Sequence, residues 1–200
     1  MNRIYMVLVA LFVALNLFAP IASNKVINIG IIFAAGSLLI GISYGFLDVI
    51  NDWKGKDAAR MTVETALIVR ALFFLVVIPV IFLLPEKTST AGFDAFLGQS
   101  ARLFVAGWAS LFVGGWLVNT PIFSYLKEKM DGKNFTLRYL TTIFPTIVAG
   151  NIVYGVLGFA GNQNVDLLSI IVGTTIARIV IGIAITPLVA LVRVGVRRYG

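Results

Sequence analysis

Of the 200 residues, 59% are hydrophobic and only 12% are charged, and the mean hydropathy is +0.97. A soluble domain of this length needs far more polar surface to cover its core, so the composition indicates an integral membrane protein and excludes a soluble catalytic or nucleotide-binding domain. Histidine and cysteine are both absent, which excludes disulfides, thiol chemistry and imidazole metal sites.

Six apolar segments follow one another along the chain, at residues 4–22, 28–50, 65–85, 101–125, 139–161 and 167–192. A helix that crosses a hydrocarbon core about 30 Å thick needs roughly 20 such residues. Long continuous apolar runs favour helices over the alternating strands of a membrane barrel. We therefore predict an all-α integral membrane protein, in which residues 1–200 form a single domain, a compact bundle of six transmembrane helices.

The remaining sequence between these segments is short. The longest predicted connections are residues 51–64 and 86–100. The first apolar segment is too long for a signal peptide, and no small-residue cleavage pattern follows it. We predict that it is a retained helix.

Lysines and arginines concentrate on one side of the predicted bundle. They cluster at the N-terminus, in the second and fourth connections and at the C-terminus: Arg3, Lys54, Lys56, Arg60, Lys127, Lys129, Lys133, Arg138, Arg193, Arg197 and Arg198. The opposite side carries Lys25, Lys87 and Arg102. The positive-inside rule then places both termini in the cytoplasm. The net charge of +7 is an orientation signal, and we predict no nucleic-acid partner.

Charged side chains inside the apolar segments are the first candidates for function, because they are costly at membrane depth and usually face a bundle interior or a cavity. Arg70 and Arg102 lie near the ends of their segments, close enough to snorkel to the nearer interface. Arg178 lies near the middle of the sixth segment. Its position favours a cavity or a buried partner.

Asp48 is the first carboxylate of the chain and lies about one turn inside the cytoplasmic end of the second segment. One interpretation makes it an interfacial residue that pairs with Lys54 or Arg60. In the other, it closes the cytoplasmic side of a pathway by pairing with the following connection or with Arg70. It is also the leading candidate for protonation if uptake is coupled to protons.

Amides complete the predicted set of pathway or substrate-binding residues. That set is Asn16, Asp48, Asn51, Gln99, Arg102, Asn151 and Arg178. In the fifth segment, Pro145 followed by Gly150 and Asn151 predicts a locally irregular helix, because a proline frees a backbone carbonyl beside a cavity. Trp108 and Trp116 are candidates for aromatic walls of a binding site.

Two pairs of small residues indicate close helix contacts. Ala10 and Ala14 form a pair on the first segment, and Gly41 and Gly45 form one on the second. By contrast, the sequence has no phosphate-binding glycine loop, no paired-carboxylate metal motif and no serine with a base. We predict a protein that is not an enzyme and that uses no cofactor or metal.

Several stretches together resemble the VUT family of six-helix bacterial queuosine precursor transporters. They are "SNKVINIG" after the first segment, "DVINDWKGKDAAR" from Asp48, "FDAFLGQSAR", "IFSYLKEKMDGKNFTLR", and "LLSIIVG" with a later "TP". In the fifth segment the chain departs from the family pattern: Thr146 and Ile147 replace a serine-glutamine pair, and Gly150 and Asn151 replace an aspartate-threonine pair. Ile185 also replaces an aspartate of the family.

The resemblance implies import of a 7-deazaguanine, such as preQ0 or preQ1, across the bacterial cytoplasmic (inner) membrane. The alternative is a substrate-binding S-component of an energy-coupling-factor vitamin importer, which the small pair Ala10 and Ala14 favours, because such subunits dock through small residues on the first helix. The expected partners are a small-molecule substrate, the lipid bilayer, and either energy-coupling subunits or further copies of the chain. A non-transporting membrane scaffold is a third possibility, against which Arg178 argues.

Overall fold

The computed structural model describes residues 3–83 and 91–199, and the side chains of residues 3–76 and 98–198. Most of this part of the chain is helical. The helices are α1 (Arg3–Ala22), α2 (Ser37–Lys54), α3 (Lys56–Leu83), α4 (Ala91–Leu111), α5 (Thr120–Lys129), α6 (Phe135–Phe159), α7 (Leu167–Ala184) and α8 (Thr186–Tyr199). A π-helical segment, Phe112–Asn119, joins α4 to α5 without a break.

Four helical stretches of the described chain are long and apolar enough to cross a membrane. They are Arg3–Ala22, Gly98–Lys129, Phe135–Phe159 and Leu167–Ala184. These stretches coincide with the first, fourth and fifth predicted segments and with most of the sixth. The fold is therefore that of a mostly helical protein that crosses a membrane several times.

The predicted helix over residues 28–50 begins too early. Val26–Asn28 (β1) and Ile32–Ala34 (β2) form an antiparallel hairpin in which Val26 pairs with Ala34, and α2 begins only at Ser37. The β-branched residues here suit a strand, and Gly30 turns the chain with a φ of 91°, a left-handed conformation that glycine adopts readily. Apolar character alone did not distinguish this hairpin from a helix.

The predicted connection over residues 51–64 is also wrong. Helix α2 continues to Lys54 and α3 begins at Lys56, so Gly55 alone separates them. Gly55 has a φ of 90°, and its N–H donates to the carbonyl oxygen of Asn51 at 3.1 Å. The polar residues of this region are helical, and Arg70 consequently lies in the middle of α3.

The sixth predicted segment, residues 167–192, consists of two helices. Helix α7 ends at Ala184, and α8 begins at Thr186 with Pro187 in its first turn. A proline in a first turn costs no helical hydrogen bond. The break therefore turns the C-terminal helix into a separate element.

Helix α2 lies at the centre of the bundle and packs against α1, α3, α5, α6, α7 and α8. Glycines allow two of these approaches. A Cβ atom at Gly41 would lie 2.7 Å from Cγ2 of Ile181, and one at Gly45 would lie 2.5 Å from Cγ2 of Val189. On α1, by contrast, Ala10 is exposed.

Candidate functional site

One face of α2 is polar although it lies inside the bundle. Ser37, Tyr44, Asp48 and Asn51 recur at intervals that bring them to the same side of a helix, and all four are buried. Burying polar groups without partners is unfavourable. A face of this kind is therefore poorly explained by packing alone.

A small cavity lies beside the middle of this face. Its lining comes from α1, α2, α3, α4, α6 and α7 and from the residue just after α1: Asn16, Ala19, Pro20, Ser23, Ile40, Tyr44, Arg70, Gly107, Ser110, Leu111, Tyr154 and Arg178. The space available to the centre of a water-sized sphere is about 10 Å³, which is about one water molecule. Small-molecule sites are about 300 Å³ or larger, so the bundle is in a closed conformation.

Arg70 enters this cavity from α3 and is only 2% exposed. Its Nε and Nη2 atoms both donate to the carbonyl oxygen of Asn16, with the Nε bond at 2.9 Å. That oxygen is available because the residue four positions later is Pro20, which has no N–H to donate. A carbonyl freed by proline thus supports the buried guanidinium, while Nη1 of Arg70 has no hydrogen-bond partner.

Arg178 enters the same cavity from α7 and is also 2% exposed. Its Nε and Nη1 atoms have no hydrogen-bond partner. The guanidinium carbon lies 5.6 Å from the centre of the Tyr154 ring, within the range of a cation–π interaction. No carboxylate is among the residues that line the cavity, so two positive side chains share it without a negative counterpart from the described part of the chain.

The interpretation of Arg70 as a snorkelling residue is wrong, because α3 begins earlier than its apolar run and places Arg70 inside the bundle. Arg102 lies in the middle of α4 and not near the end of its helix as predicted, and it is partly exposed. Its Nε donates to the carbonyl oxygen of Leu157 at 2.8 Å and its Nη2 to that of Ala160. Arg102 therefore caps the end of α6 and, like the half-buried Gln99, does not line the cavity.

Asp48 is fully buried on α2, where its carboxylate lies beside the equally buried side-chain amide of Asn119. The predicted pairings of Asp48 with Lys54, Arg60 or Arg70 are wrong. The ion pairs form one turn later, at Asp52. A buried carboxylate without an ion pair is costly, and Asp48 lies on α2 between the cavity and the Asp52 cluster.

Asp52 forms ion pairs with three arginines. They lie at the end of the bundle that the charge pattern predicts to be cytoplasmic. Its Oδ1 accepts from Nη2 of Arg138 at 2.6 Å, and its Oδ2 accepts from Nε of Arg193 at 2.7 Å and from Nη2 of Arg197 at 3.0 Å. We call these four residues the Asp52 cluster. Burial opposes ionisation of Asp52, but the bonds from Arg193 and Arg138 hold its pKa below the ordinary value.

The sequence analysis missed the Asp52 cluster. A signal was available, because Asp52 follows Asp48 by one helical turn and basic residues lie at the start of the fifth segment and the end of the sixth. Two of the three arginines belong to α8, and the reading of residues 167–192 as one straight helix concealed that this part of the chain is a separate element.

Asn51 and Asn151 connect helices and do not line the cavity. The Nδ2 atom of Asn51 donates to the carbonyl oxygen of Thr120 at 3.2 Å, and its Oδ1 accepts from the hydroxyl of Ser124 at 3.1 Å. Asn151 donates from Nδ2 to Oγ1 of Thr175 at 2.9 Å. Of the predicted set, only Asn16 and Arg178 are therefore brought together at the cavity.

The two predicted aromatic walls, Trp108 and Trp116, lie outside this cavity. Trp108 and Trp116 stack with Phe112 in a ladder along α4 and the π-helical segment, with ring centres 5.9 and 5.6 Å apart, and they do not line the cavity. The rings that do line it belong to Tyr44 and Tyr154.

The irregular helical turn also lies elsewhere than predicted. Helix α6 continues through Pro145 without interruption, whereas the neighbouring helix widens into the π-helical segment. There a Cβ atom at Gly114 would lie 2.7 Å from the Tyr44 hydroxyl. The glycine thus lets Tyr44 approach the backbone, and π-helical turns frequently occur at functional sites.

The site offers no metal centre within the described residues, since no group of three or more Asp or Glu side chains is close enough to hold an ion. Its chemistry is that of hydrogen-bond donors and aromatic faces inside a closed helical bundle. Such an arrangement suits reversible binding of a small molecule.

Comparison with protein families matches residues 34–192 to the Vut_1 family, described as "Putative vitamin uptake transporter". The matched range extends from the end of the hairpin into α8 and includes Tyr44, Arg70 and Arg178. Comparison with curated proteins and with solved structures gave no match. The match covers well over half of the chain, and its family consists of transporters and not of enzymes. The chain therefore belongs to the Vut_1 family of vitamin-type uptake transporters, multi-pass membrane proteins that take up small molecules.

Proposed function

We propose that this protein imports a small heterocyclic precursor across the bacterial cytoplasmic membrane, and that the precursor is a 7-deazaguanine such as preQ0 or preQ1. The observation that carries the proposal is the central cavity, to which six helices contribute. A planar ring needs hydrogen-bonding groups along its edge and flat walls on its faces. Arg70, Arg178 and Asn16 supply the edge, and Tyr44 and Tyr154 supply the faces.

The closed conformation supports a mechanism in which access alternates between the two sides. The Asp52 cluster fastens α2 to α6 and α8 at one end of the bundle, and Asn51 fastens α2 to α5. At the other end, the hairpin rests on α7, where Gly173 leaves room for the carbonyl oxygen of Ile32. Substrate release at the first end requires the Asp52 cluster to separate, because it holds three helices together.

We also propose that residues 1–200 form one domain of six crossings with both termini in the cytoplasm. The support is the one-sided distribution of lysine and arginine. Alkaline phosphatase and fluorescent protein fusions at Gly55, after Gly161 and after the last residue test this arrangement. Fusions at Gly55 and at the C-terminus should report the cytoplasm, and a periplasmic C-terminus would overturn the six-crossing arrangement.

The direct test of transport uses cells that cannot synthesise 7-deazaguanines. Expression of the protein should allow radiolabelled preQ0 or preQ1 to enter and should restore queuosine in transfer RNA at nanomolar supply. The control is the same strain with the empty vector. Normal expression in the membrane without uptake of either compound would contradict import of preQ0 and preQ1.

A second candidate is the S-component of an energy-coupling-factor importer, and exposure of Ala10 favours it. Such a subunit needs an accessible small-residue surface for its partner, and Ala10 is exposed on α1 while Ala14 is partly exposed. Uptake that stops when ATP is depleted but survives collapse of the proton gradient would support this candidate. Replacing Ala10 with Trp should then abolish uptake without changing substrate binding.

A further inference from the structure

We infer that the cavity between Arg70 and Arg178 is an anion subsite, which selects substrates whose ring carries a carboxylate. The inference rests on the proposed function, because it takes the cavity as the transport site. It goes further by naming the chemical class of the substrate. The competing classes are rings with a neutral substituent and rings with a cationic one.

The charge in the cavity is the first argument. Arg70 and Arg178 are each 98% buried and line the same space, and no carboxylate of the described chain lines it with them. Asp52 is engaged by three arginines of its own. Asp48 lies on the same face of α2 as Tyr44 but is not part of the lining. A buried cation is strongly unfavourable unless an opposite charge or several hydrogen bonds compensate it.

The unused donors are the second argument. Nη1 of Arg70 and both Nε and Nη1 of Arg178 have no acceptor in the protein. A carboxylate has two oxygens that can accept about four hydrogen bonds, and its bonds with guanidinium groups are stronger than those of neutral acceptors. One carboxylate between the two arginines would supply acceptors to Nη1 of Arg70 and to one of the free nitrogens of Arg178, and it would lower the net charge of the pair from +2 to +1.

The anchoring of Arg70 is the third argument. Its Nε and Nη2 are fixed on the carbonyl oxygen of Asn16, so the direction of Nη1 is set before a ligand arrives. A Cβ atom at Gly107 would lie 2.8 Å from this Nη1, which shows that the nitrogen fits closely against α4. A donor held in place in this way loses little conformational entropy when it binds an anion.

The substituent on the ring therefore decides affinity. Three 7-deazaguanines differ only at position 7, where they carry a carboxylate, a nitrile or an aminomethyl group that is positively charged at neutral pH. The carboxylate is attracted by both arginines, the nitrile accepts a hydrogen bond without charge, and the ammonium group is repelled. The expected order of affinity is carboxylate, then nitrile, then aminomethyl.

The test is calorimetric titration of the purified protein with these three compounds and with nicotinate and nicotinamide, a second pair that differs in charge. The carboxylate of each set should bind at least about tenfold more tightly than its neutral or cationic relatives. Equal or tighter binding of the aminomethyl compound would overturn the anion subsite while leaving deazaguanine import intact. Preference for nicotinate over nicotinamide without binding of any deazaguanine would support the subsite and contradict the 7-deazaguanine proposal.

Variants of Arg178 distinguish the effect of its charge on substrate affinity from the effect of its shape. Arg178→Gln should lower affinity for the carboxylate roughly 10- to 100-fold and affinity for the nitrile by a smaller factor. Arg178→Lys keeps the charge and should keep the order of preference. The control is Arg60→Gln on the same helix as Arg70, where the guanidinium carbon lies 4.8 Å from the Trp116 ring and outside the cavity. An equal loss for all three compounds in Arg178→Gln would overturn the inference.

Discussion

The guanidinium of Arg70 on α3 donates two hydrogen bonds to the backbone carbonyl oxygen of Asn16 on α1. In an uninterrupted helix, this oxygen would accept the N–H of the residue four positions later, but that residue is Pro20. A buried acceptor left without a donor costs about 1–3 kcal/mol. The arginine and the proline are therefore energetically dependent on each other, although they lie on different helices.

The first prediction concerns this dependence. Pro20→Ala supplies the missing N–H, so it should stabilise the Arg70→Met variant more than it stabilises the wild type, by about 1–3 kcal/mol. The measurement is a double-mutant cycle of unfolding free energies in detergent micelles. A coupling energy of zero would show that the carbonyl of Asn16 does not need Arg70.

The second prediction is that Arg178→Met makes the ligand-free protein more stable and abolishes uptake. Removing a buried charge that has no ionic partner, and replacing it with an apolar side chain of similar length, is often neutral or stabilising by about 1–4 kcal/mol. Thermal unfolding without ligand and uptake in cells are the two measurements. A clear loss of stability would indicate that Arg178 has a structural role in the closed bundle.

The third prediction is that Asp52→Asn destabilises the end of the bundle that contains the Asp52 cluster. Losing one member of a buried ion pair costs about 3–5 kcal/mol, and we expect less here because Arg197 is half exposed. Hydrogen exchange should accelerate in α8, which carries Arg193 and Arg197. Asp57→Asn is the control, since Asp57 is exposed in the first turn of α3.

The pH dependence of the Asp52 cluster follows from the sign of the pKa shift. The pKa of Asp52 is lower in the folded protein than its ordinary value of about 3.9. Its contribution to stability is therefore fully present above about pH 4 and is lost as the pH falls through the folded value. Acid unfolding should be steeper in the wild type than in Asp52→Asn, and identical acid limbs would contradict this account.

The fourth prediction concerns Asp48, which forms no ion pair within the described residues and whose polar neighbour, the amide of Asn119, can also pair with an asparagine. Asp48→Asn should therefore leave the unfolding free energy unchanged or higher, in contrast to Asp52→Asn. If uptake is coupled to protons and Asp48 carries the coupling proton, the same variant should lower uptake and remove its pH dependence. Uptake at several pH values in vesicles checks this, and a wild-type profile would reduce Asp48 to a buried polar residue without a transport role.

The fifth prediction uses the π-helical segment. Gly114→Ala would bring a methyl group within 2.7 Å of the Tyr44 hydroxyl and 3.2 Å of the carbonyl oxygen of Thr146. Overpacking of this kind costs about 1–3 kcal/mol, and displacement of Tyr44 should also weaken substrate binding. Gly98→Ala is the matched control on α4, because nothing lies within 4 Å of its added methyl group. Equal effects of the two substitutions would remove the case for a close Tyr44 contact.

Apolar runs located the helices because a membrane crossing requires about 20 apolar residues in succession. They failed at the ends of helices, where polar residues remain helical outside the apolar layer. The region around Gly55 shows the difference: hydrogen bonding, not hydropathy, decides where α2 stops and α3 starts. The hairpin at residues 26–34 shows the converse case, in which apolar residues form strands.

The sequence predicted those residues of the candidate site whose own position in an apolar segment indicates burial. Arg178 was predicted from the sequence because it lies near the middle of the apolar segment 167–192, and the structure places it in the cavity. Arg70 did not stand out, since its depth depends on where α3 begins. The partnership of Arg70 with Pro20 could not be read from the sequence, because it requires knowing that α1 and α3 are neighbours.

The tryptophan ladder has a practical consequence for optical measurements. Nε1 of Trp108 donates to the carbonyl oxygen of Leu67 at 3.1 Å, one turn before Arg70, so its indole bridges α4 and α3 beside the cavity. If substrate entry separates these two helices, the bond breaks and the indole gains water, which shifts its emission to longer wavelength. With Trp53 and Trp116 replaced by phenylalanine, the protein would carry its own fluorescent reporter of opening, read in real time without an attached dye.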